Sequence, residues 1–346
     1  MLNLRDESGK AGTGFVRGED KRGAVRLQRE TVSAVGVFVV CVLALFLSKF
    51  INPEFGSIHQ LQTILTLASF LIVVSYGQGL TVLIGGLDLS IPSVITVGGV
   101  LAAAWMSTLS PGGFWWQIPA VLVVCALIGV ANGLGVTLLR IPPFIMTLAS
   151  GIIVYSICLG ATGGTPSGAA PNSLSTLMAG RIGSVPIVNI FVVIFCAIAV
   201  FMQSRTSFGQ RLYAMGSNAT AAKIAGMRIN VITVCTYALS SALAGFAGMM
   251  LVGYSNGATL RMGDSYLLPS IAAVVIGGSS ILGGRGNFVG TIGGAILLTI
   301  FDMVITSLGL AQGWRTMISG GLILAAILLQ HEGALDWVRS VGRRHG

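Results

Sequence analysis

"LTVLIGGLDLSIPSVITVGGV", residues 80–100, joins the end of one apolar run to the start of the next through six residues, 85–90, of which only Asp88 is charged. A link this short forces the runs on either side to lie antiparallel as neighbours. The same grammar recurs further along, where Arg140 and "IPP" are all that separate two other apolar runs. Such runs repeat from about residue 32 to residue 330, in a chain that is 54% hydrophobic and 9% charged, with a mean hydropathy of +0.87. About 20 consecutive apolar residues cross the ~30 Å hydrocarbon layer of a membrane. Only helices or closed barrels satisfy their backbone there. The runs are continuous rather than alternating, which selects helices. The chain is therefore expected to be all-α and polytopic, with about ten transmembrane helices at roughly 32–50, 61–83, 91–107, 117–139, 142–162, 187–203, 231–253, 265–283, 287–308 and 314–330.

The net charge of +9 does not point to nucleic acid once its location is considered. Seven basic side chains lie in the first thirty residues, mixed with five acids and a single aromatic, Phe15. Residues 1–30 read as a flexible basic cytosolic tail that can touch anionic lipid. Residues 31–331 form the membrane domain, and 332–346 a short second cytosolic tail. The first apolar run is long for a signal-peptide core and lacks a small-residue cleavage site, so it is expected to be a retained span. With the N-terminus inside, 16 of the 20 Lys and Arg fall on the cytosolic side, as the positive-inside rule prefers. Both termini are then cytosolic, and residues 204–230 form the longest internal cytosolic loop. The segment "TGGTPSGAAPNSL", 162–174, lies outside as a long irregular connection.

The five cysteines all fall in apolar runs and behave as small hydrophobes, without a C-x-x-C pair. His59, His331 and His345 lie outside the predicted spans, so no metal site and no catalytic base is expected. None of the lysines stands in a G-x-x-x-x-G-K-[ST] frame, so the chain binds no ATP of its own and needs no cofactor.

In the 204–230 loop, Ser217 or Asn218 can cap a helix N-terminus. Residues 219–225 make about two turns, and Gly226 is a stop signal. Lys223 in the last turn suits the helix dipole. Ala221, Ala222, Ile224 and Ala225 give a small apolar face. A helix so short is unstable alone and must dock, either on its own membrane domain or on a second protein. Elsewhere, Asp88, with Ser90 as a cap and Pro92 in the first turn of the next helix, reads as a turn brace or as a gate near a cytosolic partner; Arg285, placed on the same side, is a candidate ion-pair partner for it. Asp302, within the ninth run, must face the bundle interior and either bonds a neighbouring helix or lines a solute path. Gly129 and Gly133, and Gly286, Gly290 and Gly294, recur four apart and let helices approach closely, within the chain or between two copies. Thr147, Ser150, Tyr155 and Ser156 bring hydroxyls into the fifth run; they either bond back to their own helix or face a path.

Four segments resemble the ribose-type (monosaccharide) ABC transporter permeases, in the branched-chain amino acid/sugar permease superfamily. They are "FGQRLYAMGSNATAAKIAGMRIN" at 208–230, residues 80–100 quoted above, "RIPPFIMTLASGIIVYSICLGATGGTP" at 140–166, and "YLLPSIAAVVIGGSSILGGRGNFVGTIGGA" at 266–295. The resemblance implies a type II ABC importer-like bundle in the bacterial inner membrane, paired with a second permease copy or a paralogue. It implies a periplasmic sugar-binding protein above and a cytosolic ABC ATPase below. The 204–230 loop would then carry the coupling helix, with Gly216, Ser217, Asn218, Ala219, Thr220, Ala221, Ala222, Lys223, Ile224, Ala225 and Gly226 facing the ATPase. Such importers line the solute path with the fifth span, which makes Thr147, Ser150, Tyr155 and Ser156, with Asp302, the path candidates. Two departures stand out: Ala219 and Thr220 follow Asn218 where the family often has an acid, and Asp264 and Pro269 stand near the start of the eighth span where a glutamate is common. Two other functions compete: an ion-coupled secondary transporter, for which Asp302 is the one clear mid-span charge, and an intramembrane enzyme, which the absence of a histidine within any predicted span disfavours.

Overall fold

The computed structural model describes residues 34–50, 53, 55–106 and 114–309, with scattered positions up to 324. The tails at 1–30 and 332–346 lie outside the described residues, as does most of the predicted run at 314–330. The fold is almost entirely helical. In chain order it comprises α1 (Ala34–Ser48), α2 (Ile58–Leu83), α3 (Ile91–Val100, continued by a widened turn Leu101–Trp105), α4 (Phe114–Thr137), α5 (Pro143–Ala161) and α6 (Asn172–Ala179). A two-residue hairpin, β1 (Arg181–Ile182) and β2 (Val185–Pro186), leads into α7 (Ile187–Arg205), α8 (Ser207–Ser217), α9 (Ala219–Ile224), α10 (Ile229–Ser255), α11 (Asp264–Ile276) and α12 (Phe288–Ser307). Six of these helices, α2, α4, α5, α7, α10 and α12, are long and apolar enough to cross a membrane, and α1, α3 and α11 are shorter apolar helices.

Local chemistry accounts for the helix limits. The Ser57 hydroxyl caps α2 by accepting from the Gln60 N–H, and the Asn287 side chain caps α12 through the Val289 N–H. Pro143 opens α5, where its missing N–H costs nothing. Arg140 turns the chain between α4 and α5 with φ +54°, and Asn256 closes α10 with φ +59°, both in the left-handed region where few side chains settle.

The core is built on α10 and α2. Of α2's apolar window 78% is buried, against 17% for α5, so α2 is a central helix and α5 a peripheral one. α10 packs against α4, α3 and α2. Val73, Val94, Val121, Ala244, Met249 and Met250 form one continuous cluster between them. Close approach depends on glycine. A Cβ on Gly129 would stand 2.2 Å from the Tyr237 carbonyl oxygen, and one on Gly290 2.0 Å from that of Gly277. Both glycine series therefore serve packing within the chain.

Four sequence expectations change. The eighth run stops at Ile276 rather than near 283, because a succession of glycines breaks it, Gly278, Gly283 and Gly284 among them with positive φ. The loop at 204–230 contains a second helix, α8, whose Gly209, Leu212 and Met215 face inward three residues apart. The 162–174 connection does not run on as irregular chain: α6 follows from Asn172, and its Leu174 and Met178 are buried against Gly253 of α10. The link at 85–90, expected on the cytosolic side, carries Asp88 into the interior, where it is fully buried.

Candidate functional site

Two regions concentrate polar groups: the end of the bundle carrying α9, and an elbow between α2 and α3. At the first, the Asn218 side chain accepts from the Ala221 N–H at 2.9 Å and starts α9. Gly226, with φ +82°, ends it, and its N–H donates to the Lys223 carbonyl. Only Ala222 of this helix is buried. Ile224 is 83% exposed, so of the apolar face of four residues only Ala222 packs inside the protein, and the rest of α9 stands clear of it.

What anchors α9 lies just before it. α8 ends at Gly216 and Ser217 against the end of α2 and the α11–α12 loop. A Cβ on Gly216 would lie 1.8 Å from the Leu83 carbonyl oxygen and 2.6 Å from the Gly284 nitrogen. Leu83 and Gly284 are themselves joined, the Gly284 N–H donating to the Leu83 carbonyl at 2.9 Å. The Tyr213 hydroxyl of α8 donates to the Gly286 carbonyl at 2.6 Å and accepts from the Gln203 amide at 2.8 Å. Three chain segments thus meet through their main chains in one joint. Leu282, 90% exposed, and the exposed Arg285 sit in the α11–α12 loop beside it.

The elbow begins at this joint. From Leu83 the chain turns through Gly85 (φ +76°) and climbs back between the helices. Asp88 is fully buried. Its Oδ1 accepts from the Ser90 N–H and hydroxyl, and its Oδ2 from the Ser240 hydroxyl at 3.0 Å. Asn132 donates to the Ser90 hydroxyl at 2.9 Å. Ser240 packs against Gly77, six residues before α2 ends, so Asp88 reaches a level about 9 Å inside the end of that helix. α3 starts there as a half-length helix. Ser90 occupies its N-cap position without a capping bond, its hydroxyl being committed to Asp88. Among the described residues no basic side chain pairs with Asp88, the candidate Arg285 included, and serines hold the carboxylate instead. Thr147 is also fully buried. Its hydroxyl accepts from the Leu89 N–H at 3.0 Å and lies 2.9 Å from the Pro143 carbonyl, so it ties α5 to the elbow. The Tyr237 hydroxyl, buried beside Gly86, has no hydrogen-bond partner among the described residues.

On the side of the elbow away from the α9 end, a cavity of about 270 Å³ opens between α3, α5 and the start of α11. Tyr155, Ser93, Arg261 and Asp264 supply its polar groups, and Leu148 and Ile152 its apolar wall. The Arg261 guanidinium stands 5.9 Å from the Tyr155 ring centre, and its Nε 4.0 Å from the Asp264 carboxylate. The Tyr155 hydroxyl first, and Asp264 after it, hold the Arg261 pKa above its ordinary value. Of the five path candidates only Tyr155 lines this cavity. Ser150 donates back to the Thr147 carbonyl, Ser156 is exposed on α5, and Asp302 is half-buried on α12 within electrostatic reach of Tyr266. Ser93 and Arg261 escaped the sequence reading as site residues, and Asp264 stood there only as a departure from the family pattern, since nothing local places the α10–α11 loop over α5.

The chain was compared with known proteins. Residues 60–327 match the model of the family described as branched-chain amino acid transport system / permease component. The galactose/methyl galactoside import permease protein of Escherichia coli K12 is 31% identical over 311 residues, covering 85% of this chain and 93% of that protein. The ribose import permease protein of Haemophilus influenzae is 30% identical, over 84% of this chain and 91% of its own length. The ribose import permease protein of Escherichia coli K12 is 30% identical, with 88% and 94% covered. No solved structure matches the chain.

Proposed function

The chain belongs to the branched-chain amino acid transport system / permease component family, and on that premise we propose that it is the membrane subunit of an ATP-driven importer for a monosaccharide or related polyol. The relatives are permease subunits and not enzymes, and this chain is likewise no enzyme. The sugar reading rests on the relatives' names, galactose and ribose import permeases. The α9 end faces the cytosol, where a separate ABC ATPase binds ATP and works the subunit. The opposite end faces a periplasmic sugar-binding protein. About ten spans cross the inner membrane with both termini inside. Nine apolar helices stand among the described residues; the tenth run expected from the sequence, 314–330, lies mostly outside them. The outward apolar side chains of the little-buried α5, Ile145 and Ile153 among them, offer a face for a second permease, either a copy or a paralogue.

One observation carries the coupling role: α9 is a capped six-residue helix that buries a single alanine yet is welded at its start to both α2 and the α11–α12 loop. Left to itself such a helix frays, so a partner that seats on Ile224, Lys223, Ala221 and Thr220 completes it. Residues 216–226 form this contact, with Leu282 and Arg285 beside it. Asp88 and Ser90 brace the elbow rather than touch the ATPase.

The decisive measurement is uptake of radiolabelled galactose and ribose by cells expressing the permease with its ATPase and binding protein. Uptake should vanish when the ATPase carries a dead Walker lysine and persist when a protonophore collapses the proton gradient. The reverse pattern would replace this reading with an ion-coupled carrier. A cysteine at Ile224 should cross-link to the ATPase, and Ile224→Glu should cut uptake at least about tenfold by placing a charge in an apolar seat. Asn218→Ala should remove the cap, worth about 1 kcal/mol, and lower uptake severalfold; Asn218→Ser, which still caps, should restore most of it.

A further inference from the structure

We propose that the cavity between α3, α5 and α11 is a binding subsite for a single neutral monosaccharide ring, with Tyr155 as its wall and Arg261 and Asp264 as its hydrogen-bonding rim. This rests on the importer reading above and names the residues the solute meets.

The chemistry of the wall fits such a solute and disfavours others. A monosaccharide presents an apolar C–H face and a rim of hydroxyls, each both donor and acceptor. The cavity matches both parts. Leu148 and the Tyr155 ring provide apolar surface, while Ser93, the Asp264 carboxylate and the Arg261 guanidinium provide a donor-acceptor, a pure acceptor and a pure donor. At about 270 Å³ it lies just below the usual range of ligand pockets, the scale of one ring rather than a chain of them. Arg261 and Asp264 cancel in charge, so the site exerts no net pull on an anion or a cation. Their 4.0 Å separation exceeds a hydrogen bond, which leaves room for a hydroxyl to bridge them. Both side chains are well exposed, 76% and 58%, and so remain free to be met by a solute.

The position is also right for a transient stop. The floor is the buried elbow, where α3 begins about 9 Å inside the end of α2. Gly151 lets α5 close against it, since a Cβ there would already be 3.2 Å from the Ser90 Cα. A solute resting in the cavity therefore lies against the one link that runs, through residues 84–89, to the joint holding α9. Movement of that joint would alter the floor beneath the sugar.

The test uses the full importer, permease with its ATPase and binding protein, in proteoliposomes. Uptake of radiolabelled aldohexoses and aldopentoses is measured beside ATP hydrolysis stimulated by the loaded binding protein. Tyr155→Ala should lower uptake about tenfold, and Tyr155→Phe should stay within about twofold of wild type, because the ring is the larger part of the contact. Asp264→Asn and Arg261→Gln should shift the ratio of hexose to pentose uptake by about threefold or more, as changed hydrogen-bonding rims do. In Tyr155→Ala stimulated ATP hydrolysis should fall less than uptake does. If Tyr155→Ala matches wild-type uptake at equal membrane levels, or if uptake and hydrolysis fall together in Tyr155→Phe as well, the subsite is overturned while the importer stands. If the wild type shows no ATP-driven uptake of any of these sugars, the importer reading fails and the subsite with it.

Discussion

Asp88→Leu should empty the membrane of folded protein. Three donors, the Ser90 N–H and the Ser90 and Ser240 hydroxyls, converge on this carboxylate in a fully buried site. Leucine accepts from none of them. Each donor stranded in a dry interior costs about 1–3 kcal/mol, so the sum approaches the whole stability of an ordinary domain. Asp88→Asn is the informative control. Its carbonyl oxygen can still accept from Ser90, and its amide can donate to the Ser240 hydroxyl. Detergent-solubilised protein followed by size-exclusion chromatography and thermal unfolding should show loss of the monodisperse peak for leucine and at most a modest drop in melting temperature for asparagine. A leucine variant that unfolds at the wild-type temperature would show that the elbow does not depend on its carboxylate.

Gly216→Val should leave a folded but idle permease. The added Cβ would fall 1.8 Å from the Leu83 carbonyl oxygen and 2.6 Å from the Gly284 nitrogen. Both atoms are main chain and hydrogen-bonded to each other, so neither can turn aside as a side chain would. α8 must lift off the joint, and α9 goes with it. The core of α2, α4 and α10 lies elsewhere and should survive. The expected result is a fall in uptake of about a hundredfold or more, roughly 3 kcal/mol of lost coupling, with membrane levels and unfolding temperature near wild type. Uptake within twofold of wild type would separate the joint from transport.

Much of this fold is legible in the sequence, and what is not has a physical reason. The apolar runs give α2, α4, α5, α7, α10 and α12 to within a few residues, because helix length in a membrane protein follows hydrocarbon thickness. Asn218 and Gly226 mark α9 because capping is local chemistry. The depth of Asp88 is another matter. Residues 85–90 look like any polar turn, and what draws them inward is Ser240, 152 positions away and one of many serines. α8 did leave a signal, Gly209, Leu212 and Met215 at helical spacing, masked by the glycine and the polar residues between them. Thr147 and Tyr155 were equal candidates in one helix. Only the α3–α5 contact separates a hydroxyl spent on the Leu89 N–H from a ring left open to the cavity.

The joint of Leu83, Gly216 and Gly284 is made of main chain, and this has a mechanical consequence. A linkage of side chains has play in it, since each rotamer that flexes absorbs part of a stroke. Here carbonyl meets amide and glycine meets both, so a small displacement of α9 has little slack to take up before the elbow feels it. A lever of six residues needs no length when its bearing has no backlash. The same bearing should tolerate wide exchange of the surrounding side chains, while almost any atom added at Gly216 would jam it.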